Sequence, residues 1–232
     1  QGTLAGVVGG GLAETYSHAE GGSAISEIKG TSFVAINGGT INGIAYGAEG
    51  ANTGTSSAAI IGGGLAYSKN GSAAVASVKT ASTTINGGTI KGGVYAGGMA
   101  DGTNATANVT TANLSINGGI INGDVYAGGY ALDSGTANVT TANVTLKGGS
   151  INGKVTVGNA TTAIITLDGT GAKVTGDDTG DFEGNKSSTL AFNNYNDKFD
   201  NVAYGFGTLN VAEGSNVRMD AVVSGKQGTA TI

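Results

Sequence analysis

The chain has 232 residues, of which 45 are glycine, and it lacks cysteine, so disulfide bonds do not stabilise it. The net charge is −5 and the 11 basic residues are scattered, which excludes the basic surface of a nucleic-acid-binding protein. No apolar run approaches the roughly 18 residues of a membrane-spanning helix. Because 39% of the residues are hydrophobic and recur at fixed offsets, the glycine content indicates a folded repeat protein.

One motif occurs in four near-copies along the chain. The copies start at Ile36, Ile85, Ile116 and Leu146, and they read "INGGTINGIAYGAEGA", "INGGTIKGGVYAGGMA", "INGGIINGDVYAGGYA" and "LKGGSINGKVTVGNAT". The last two intervals between starts are nearly equal, and the first is longer. Two earlier fragments, "VVGGGLA" and "IIGGGLA", resemble the "VYAGGMA" arm of the second copy. A recurring period of this length predicts a repeat architecture.

The segments between the motifs alternate apolar and small polar residues, as in "TANVTTANVTL", which predicts strands with one buried face. Asn-Gly and Gly-Gly pairs then predict corners. One repeat of roughly 30 residues therefore holds a long strand, an "NGG" corner, a short strand, a second corner and a third strand, followed by a variable loop such as 99–105 or 130–136. A β-propeller would require more uniform blades, so we predict an all-β fold that forms a parallel β-helix with one repeat per coil.

Stacked coils place equivalent residues in rows. We predict a buried row of isoleucines and hydrogen-bonded stacking of the corner asparagines. The glycines are expected where a corner requires a positive φ or a close backbone approach, and the neighbouring asparagines also tolerate left-handed backbone. The predicted apolar row consists of Ile41, Ile90, Ile121 and Ile151.

The composition changes after residue 160. We predict a single β-helix domain over 1–232, with glycine-rich repeat coils at 1–160 and less regular coils at 161–232. The acidic segment "DDTGDFEG" offers oxygen ligands for Ca²⁺ through Asp177, Asp178, Asp181 and Glu183, or is a plain acidic loop, and no other cofactor is expected.

The C-terminal segment contains Leu190-Ala-Phe192-Asn-Asn-Tyr195, then Phe206-Gly-Thr-Leu209-Asn-Val211 and Gly214-Ser-Asn-Val217. This pattern, together with the glycine-rich arms, resembles the passenger domains of Gram-negative autotransporters, especially adhesins. The resemblance implies a right-handed β-helix that is exported to the cell surface or outer membrane, or secreted. It also implies that contact with the membrane comes only through a C-terminal translocator barrel outside this chain. The sequence starts and stops within the repeat pattern, so we expect it to be a piece of a longer protein.

Catalytic signals are sparse in the sequence. The only histidine, His18, directly follows Ser17, which is the wrong arrangement for a Ser-His-Asp triad. The Gly-Asp-Ser-Gly motif of protease-bearing passengers does not occur. Polysaccharide-active enzymes also have β-helical folds, so a polysaccharide-active enzyme is the alternative interpretation. We nevertheless expect a protein that is not an enzyme.

A second row consists of Tyr46, Tyr95 and Tyr126, with Thr156 at the same place in the fourth copy. If Val94 and Ala96 point inward, Tyr95 points outward, and exposed aromatic rings can bind sugars or a protein partner. The alternative is a ladder that only stabilises neighbouring coils. We therefore expect an adhesin that binds a glycan or protein on a host or bacterial cell, and a purely structural stalk remains an alternative.

Overall fold

The structure is a computed structural model that describes residues 2–15, 22–45, 57–69, 71–176 and 180–219. Within these ranges the regular secondary structure is all β-strand, and no helix is present. None of the described segments is therefore a helix that is long and apolar enough to cross a membrane.

The strands alternate between long and short elements, as the repeats predict. The described residues form β1 (Thr3–Leu4), β2 (Val7–Val8), β3 (Leu12–Thr15), β4 (Ala24–Ile36), β5 (Thr40–Ile41), β6 (Ile44–Ala45), β7 (Ser57–Ile61), β8 (Leu65–Ser68), β9 (Ala74–Ile85), β10 (Thr89–Ile90), β11 (Gly93–Tyr95), β12 (Met99–Asp101), β13 (Ala105–Ile116), β14 (Ile120–Ile121), β15 (Val125–Tyr126), β16 (Tyr130–Leu132), β17 (Thr136–Ile151), β18 (Val155–Thr156), β19 (Ala160–Val174), β20 (Phe182–Glu183), β21 (Ser188–Asn193), β22 (Asn196–Phe199), β23 (Ala203–Tyr204), β24 (Thr208–Val211) and β25 (Asn216–Met219).

Three stacked sheets contain most of the described strands, and each collects equivalent strands of successive repeats, while β22 and β25 form a separate parallel pair. In the first sheet, the long strands β4, β9, β13, β17 and β19 pair in chain order and continue through β21 to β24. The second sheet has the order β2-β7-β11-β15-β18-β20-β23, and the third has the order β16-β12-β8-β3. These pairs are parallel, whereas β6 and β7 pair antiparallel. Propeller blades are antiparallel, so this pairing favours stacked coils.

The register between the strands matches the alignment of the sequence motifs. Ile85 pairs with both Ile36 and Ile116, and Ile116 pairs with Leu146. The early "GGG" arms align as well, because Ile60 pairs with Val7 on one side and Val94 on the other. The fixed offsets in the sequence therefore correspond to rows of neighbouring residues in the structure.

The predicted isoleucine row lies in the core. Ile41, Ile90, Ile121 and Ile151 pair in register, and each is at most 2% exposed. A separate cluster of buried alanines fills the space between the third sheet and the long strands, with Ala76, Ala100 and Ala107 among its members. Of the alanines in the "TAN" segments, Ala107 and Ala137 belong to this cluster, whereas Ala112 and Ala142 lie in the main core.

The "NGG" corners use their two glycines and their asparagine differently. The second glycine has a positive φ in every copy, for example 96° at Gly119, which glycine adopts without steric cost. The corner asparagines do not adopt the left-handed backbone conformation that their residue type tolerates. Instead their side chains stack, with the amide of Asn117 donating to Asn86 Oδ1 at 2.7 Å and that of Asn86 donating to Asn37 Oδ1 at 2.8 Å.

The C-terminal coils add aromatic rings to the aliphatic core. Phe192 packs edge-on against Tyr195 and Phe199, with ring centroids 5.2 and 5.1 Å away. Phe182 and Phe192 are fully buried, so the "LAFNNY" segment owes its pattern to the core.

The third sheet ends before the other two. Its last strand is β16, and in the next coil the chain turns through 157–159 directly into β19. Val139 pairs with Val109 in the coil before it and with Ala160 in the coil after it, so the later coil is clearly the shorter of the two. The stack therefore has a step in its outline beside β16.

Candidate functional site

Tyr95 and Tyr126 lie next to each other on the second sheet, where β11 and β15 pair in register. Their neighbours Val94 and Val125 belong to the main core, whereas the tyrosines pack on the opposite side of the sheet. The two rings stack with centroids 4.7 Å apart and planes inclined by 21°. Successive side chains of a strand point to opposite faces of the sheet, which places the valines and the tyrosines on different sides.

The expectation that Tyr95 is exposed is wrong. Tyr95 is only 3% exposed, because it packs in a cluster with Ile61, Leu65 and Met99 across the crease between the second and third sheets. Burial also raises the pKa of its hydroxyl. Tyr126 is half-buried, and Tyr46 lies outside the described residues. Of the predicted tyrosines that the structure describes, only Tyr126 is therefore accessible for binding.

A further ring, Tyr130, completes the aromatic cluster. Tyr130 is half-buried, and its ring centroid lies 5.2 Å from that of Tyr95 and 5.4 Å from that of Tyr126. It occupies the position of Leu65 and Met99 in the third sheet. The sequence signal was the change from "YAGGM" to "YAGGY", which our interpretation did not use.

An open groove lies at the step where the third sheet ends. Tyr126 and Tyr130 line a cavity of about 380 Å³, a volume within the usual range for ligand pockets of about 300–1,000 Å³. The remaining walls come from Lys154 and Thr156, from the turn and from the coil beyond it, and they include Gly158, Asn159, Glu183 and Asn185. The groove thus joins an aromatic wall to a polar one.

The charged groups at the groove are held in place by one another. Lys154 Nζ donates to Glu183 Oε2 at 3.0 Å, and this hydrogen bond raises the pKa of Lys154. Asp124 accepts the backbone N–H of Lys154 at 3.0 Å through Oδ1 and the hydroxyl of Tyr126 at 3.3 Å through Oδ2. Burial, followed by the charge of Asp124, raises the pKa of Tyr126, so its hydroxyl stays protonated as a hydrogen-bond donor.

Hydrogen bonds between side chains and backbone hold the turn at 157–159, which borders the groove. The N–H of Gly158 donates to Thr156 Oγ1 at 3.2 Å, and the amides of Asn159 and Asn185 donate to the carbonyls of Ala137 and Ala160. These contacts pin the turn to the adjacent coils.

The predicted Ca²⁺ site is only partly described, since Asp177 and Asp178 lie outside the described residues. The carboxylate of Asp181 accepts the backbone N–H groups of Gly176 and Val202 at 2.6 and 2.8 Å, and Glu183 is paired with Lys154. Among the described residues, no three histidine, aspartate or glutamate side chains converge as metal ligands. His18 also lies outside the described ranges.

Comparison with known proteins returns no relative. No protein-family model matches the chain, and neither the curated proteins nor the solved structures contain a significant match. The groove geometry and the sequence pattern are therefore the basis for assigning a function.

Proposed function

We propose that the chain is a right-handed parallel β-helix from the passenger of a Gram-negative autotransporter and that it works as an adhesin. In this role it sits at the cell surface or outer membrane, or is secreted, and binds a component of a host or bacterial cell without changing it. The passenger assignment rests on the "LAFNNY" and "FGTLNV" segments and the glycine-rich arms. The handedness follows that resemblance and the general preference of parallel connections for right-handed crossovers.

The observation that carries the binding role is the groove at the end of the third sheet. It places the half-buried rings of Tyr126 and Tyr130 beside polar side chains in a cavity of ligand size. Ligand sites combine an apolar or aromatic wall with a few convergent polar groups in this way. Its two neighbouring carboxylates, Asp124 and Glu183, are both engaged by protein donors, which suits binding better than proton transfer.

The test is adhesion by cells that display the whole chain. The complete chain is fused to a surface anchor in a non-adherent laboratory bacterium, and attachment to cultured epithelial cells and to other bacteria is counted. We expect attachment well above that of bacteria that display the anchor alone, because many copies add avidity to weak single sites. Attachment equal to the anchor control on both cell types, at matched display, contradicts the proposal.

Catalysis is tested in the same strain. If the displayed chain releases reducing sugars from polysaccharides, the protein is a β-helical enzyme and the non-catalytic proposal fails. If it neither adheres nor cleaves, the stalk interpretation takes its place.

A further inference from the structure

We propose that the groove beside Tyr126 and Tyr130 binds a neutral sugar residue of a glycan, with the sugar ring stacked on Tyr126. This inference rests on the proposed adhesin function and names the ligand class and the site. The residues that define the site are Tyr126, Tyr130, Lys154, Thr156, Asn159 and Glu183.

The first argument comes from the tyrosine ladder. Tyr95 and Tyr126 stack at 4.7 Å, which is close to the roughly 4.8 Å separation of the strands that carry them. The next residue in the same row is Thr156, which pairs with Tyr126 but has no ring. Thr156 is itself buried and lines the groove together with Tyr126, so beyond Tyr126 the row offers the cavity no second ring.

The second argument comes from the shortened coil. In the earlier coils, the third sheet covers the crease in which the tyrosines lie, and it buries Tyr95. After β16 this cover ends, and Gly158 lies where a side chain would meet Tyr126 Cδ1 at 3.5 Å. The glycine keeps the edge of the Tyr126 ring uncovered. The row continues through Thr156 and Glu183 to Tyr204, so Tyr126 is the last ring of the stacked pair and the one that lines the groove.

The third argument is the chemistry of the opposite wall. The paired ammonium and carboxylate of Lys154 and Glu183, together with the amide of Asn159, place both donors and acceptors at the cavity. A pyranose ring has a C–H face that packs on an aromatic ring and hydroxyl groups at its edge that need both donors and acceptors. Lys154 and Asn159 already donate to Glu183 and to the Ala137 carbonyl, but an ammonium and an amide carry further N–H donors and a carboxylate has further acceptor positions, which sugar hydroxyls can use.

Charge decides between neutral and acidic sugars. Lys154 is neutralised by Glu183, and Asp124 adds a further carboxylate through its contacts with Lys154 and Tyr126. These three side chains together carry one net negative charge. A sialic acid or uronic acid carboxylate would meet a like charge instead of an unpaired cation. The groove therefore favours a hexose without a carboxylate.

The experiment uses the purified whole chain on an array of neutral gluco-, galacto- and manno-oligosaccharides beside sialylated and uronic-acid oligosaccharides. We expect binding to a subset of the neutral glycans. The best of them is then titrated against variants by calorimetry, and saturation-transfer NMR identifies the sugar protons that contact the aromatic rings.

Two variants remove the site by using residues that the fold accepts at the same positions. Tyr130→Met copies Met99 in the neighbouring strand, and we expect affinity about tenfold weaker. Thr156→Tyr copies Tyr126 in the neighbouring strand and puts a ring in the groove, so binding should be lost. Tyr67→Leu copies Leu132 in the third sheet, outside the groove, and is the matched control that should bind like wild type. Circular dichroism checks that each variant is folded.

The outcomes separate this inference from the adhesin proposal. Neutral-glycan binding that Thr156→Tyr abolishes and Tyr67→Leu preserves supports the site. Cell adhesion without binding to any neutral glycan, or binding restricted to acidic glycans, overturns the inference and leaves the adhesin proposal standing. Glycan binding that is equal in wild type, Tyr130→Met and Thr156→Tyr places the site elsewhere and also overturns it. If Thr156→Tyr does not fold, Tyr130→Met decides.

Discussion

The isoleucine row allows a strict test of the stacked-coil core, because β14 carries two adjacent isoleucines on opposite faces. Ile121 is 1% exposed and pairs with Ile90 and Ile151, whereas Ile120 is 45% exposed. Both residues have the same strand propensity and nearly the same position in the chain. Comparing Ile121→Ala with Ile120→Ala therefore isolates the effect of burial.

The magnitude follows from the surroundings of each side chain. Ile121→Ala leaves a cavity between two isoleucines that are themselves fully buried, so we expect a loss of about 2–5 kcal/mol in the free energy of unfolding. Ile120→Ala removes atoms that are already half in water and creates no enclosed cavity. Its expected cost is below about 1 kcal/mol.

The assay is urea unfolding followed by circular dichroism, combined with native-state hydrogen exchange. The N–H of Asn152 donates to the Ile121 carbonyl at 2.8 Å, and that of Asn122 donates to the Ile90 carbonyl at 2.7 Å. Because each coil depends on its neighbours, both amides should exchange faster in Ile121→Ala than in Ile120→Ala. Equal unfolding free energies for the two variants would refute the reasoning, since they would show that the two faces of β14 are buried alike.

Three further variants test the corners and a buried carboxylate. Gly119→Ala should cost about 1–3 kcal/mol, because φ is 96° and the added Cβ would lie 3.0 Å from the backbone of the preceding coil; urea unfolding measures this cost. Asn86→Ala removes both hydrogen bonds of the corner ladder and should lower the free energy of unfolding by about 1 kcal/mol in the same assay. Asp101 is buried with no hydrogen-bond partner for Oδ2, and burial raises its pKa, so wild-type stability should fall as pH rises from about 4 through that raised pKa. Asp101→Leu should stabilise the chain at pH 7 and flatten this dependence, as thermal unfolding between pH 4 and 8 measures.

Each of these variants has a control or an outcome that counts against it. Gly38→Ala is the control for the corner, because a Cβ there meets nothing within 4 Å and should change little. A Gly119→Ala variant as stable as Gly38→Ala would contradict the left-handed corner. Unchanged stability in Asn86→Ala would mean that the exposed ladder contributes nothing. For Asp101→Leu, a pH dependence identical to that of wild type would show that another group titrates in this range.

The stacked parallel strands and their register were predictable because the repeats encode both. Ile90 and Ile121 occupy the same place in their motifs, so stacking the motifs is enough to put them in one row. The asparagine ladder was predictable for the same reason. The sequence did not predict which corner residue, Asn117 or Gly119, adopts the left-handed backbone. Both residue types tolerate that conformation, and only the geometry of the corner selects the glycine.

The site was less predictable because it depends on contacts between sheets. Alternation along β11 correctly separates Tyr95 from Val94, but it does not tell whether the outer side of the sheet is covered. Leu65 and Met99 cover Tyr95 from the third sheet, and no pattern within β11 indicates this. The groove arises from the shorter coil after Thr156, which appears in the sequence only as a change in spacing.

The in-register pairing of β13 and β17 also has a consequence for how the gene can change. Residues 106–113 and 136–143 have the same sequence, "TANVTTAN", and lie side by side in the structure. Unequal crossing-over between the DNA segments that encode them would insert or delete exchangeable units, each of which is one whole coil. The strands on either side of the inserted or deleted coil would still pair with strands of the same sequence pattern. Descendants could thus differ in the length of the rod by steps of roughly 4.8 Å while the coils at both ends stay unaltered.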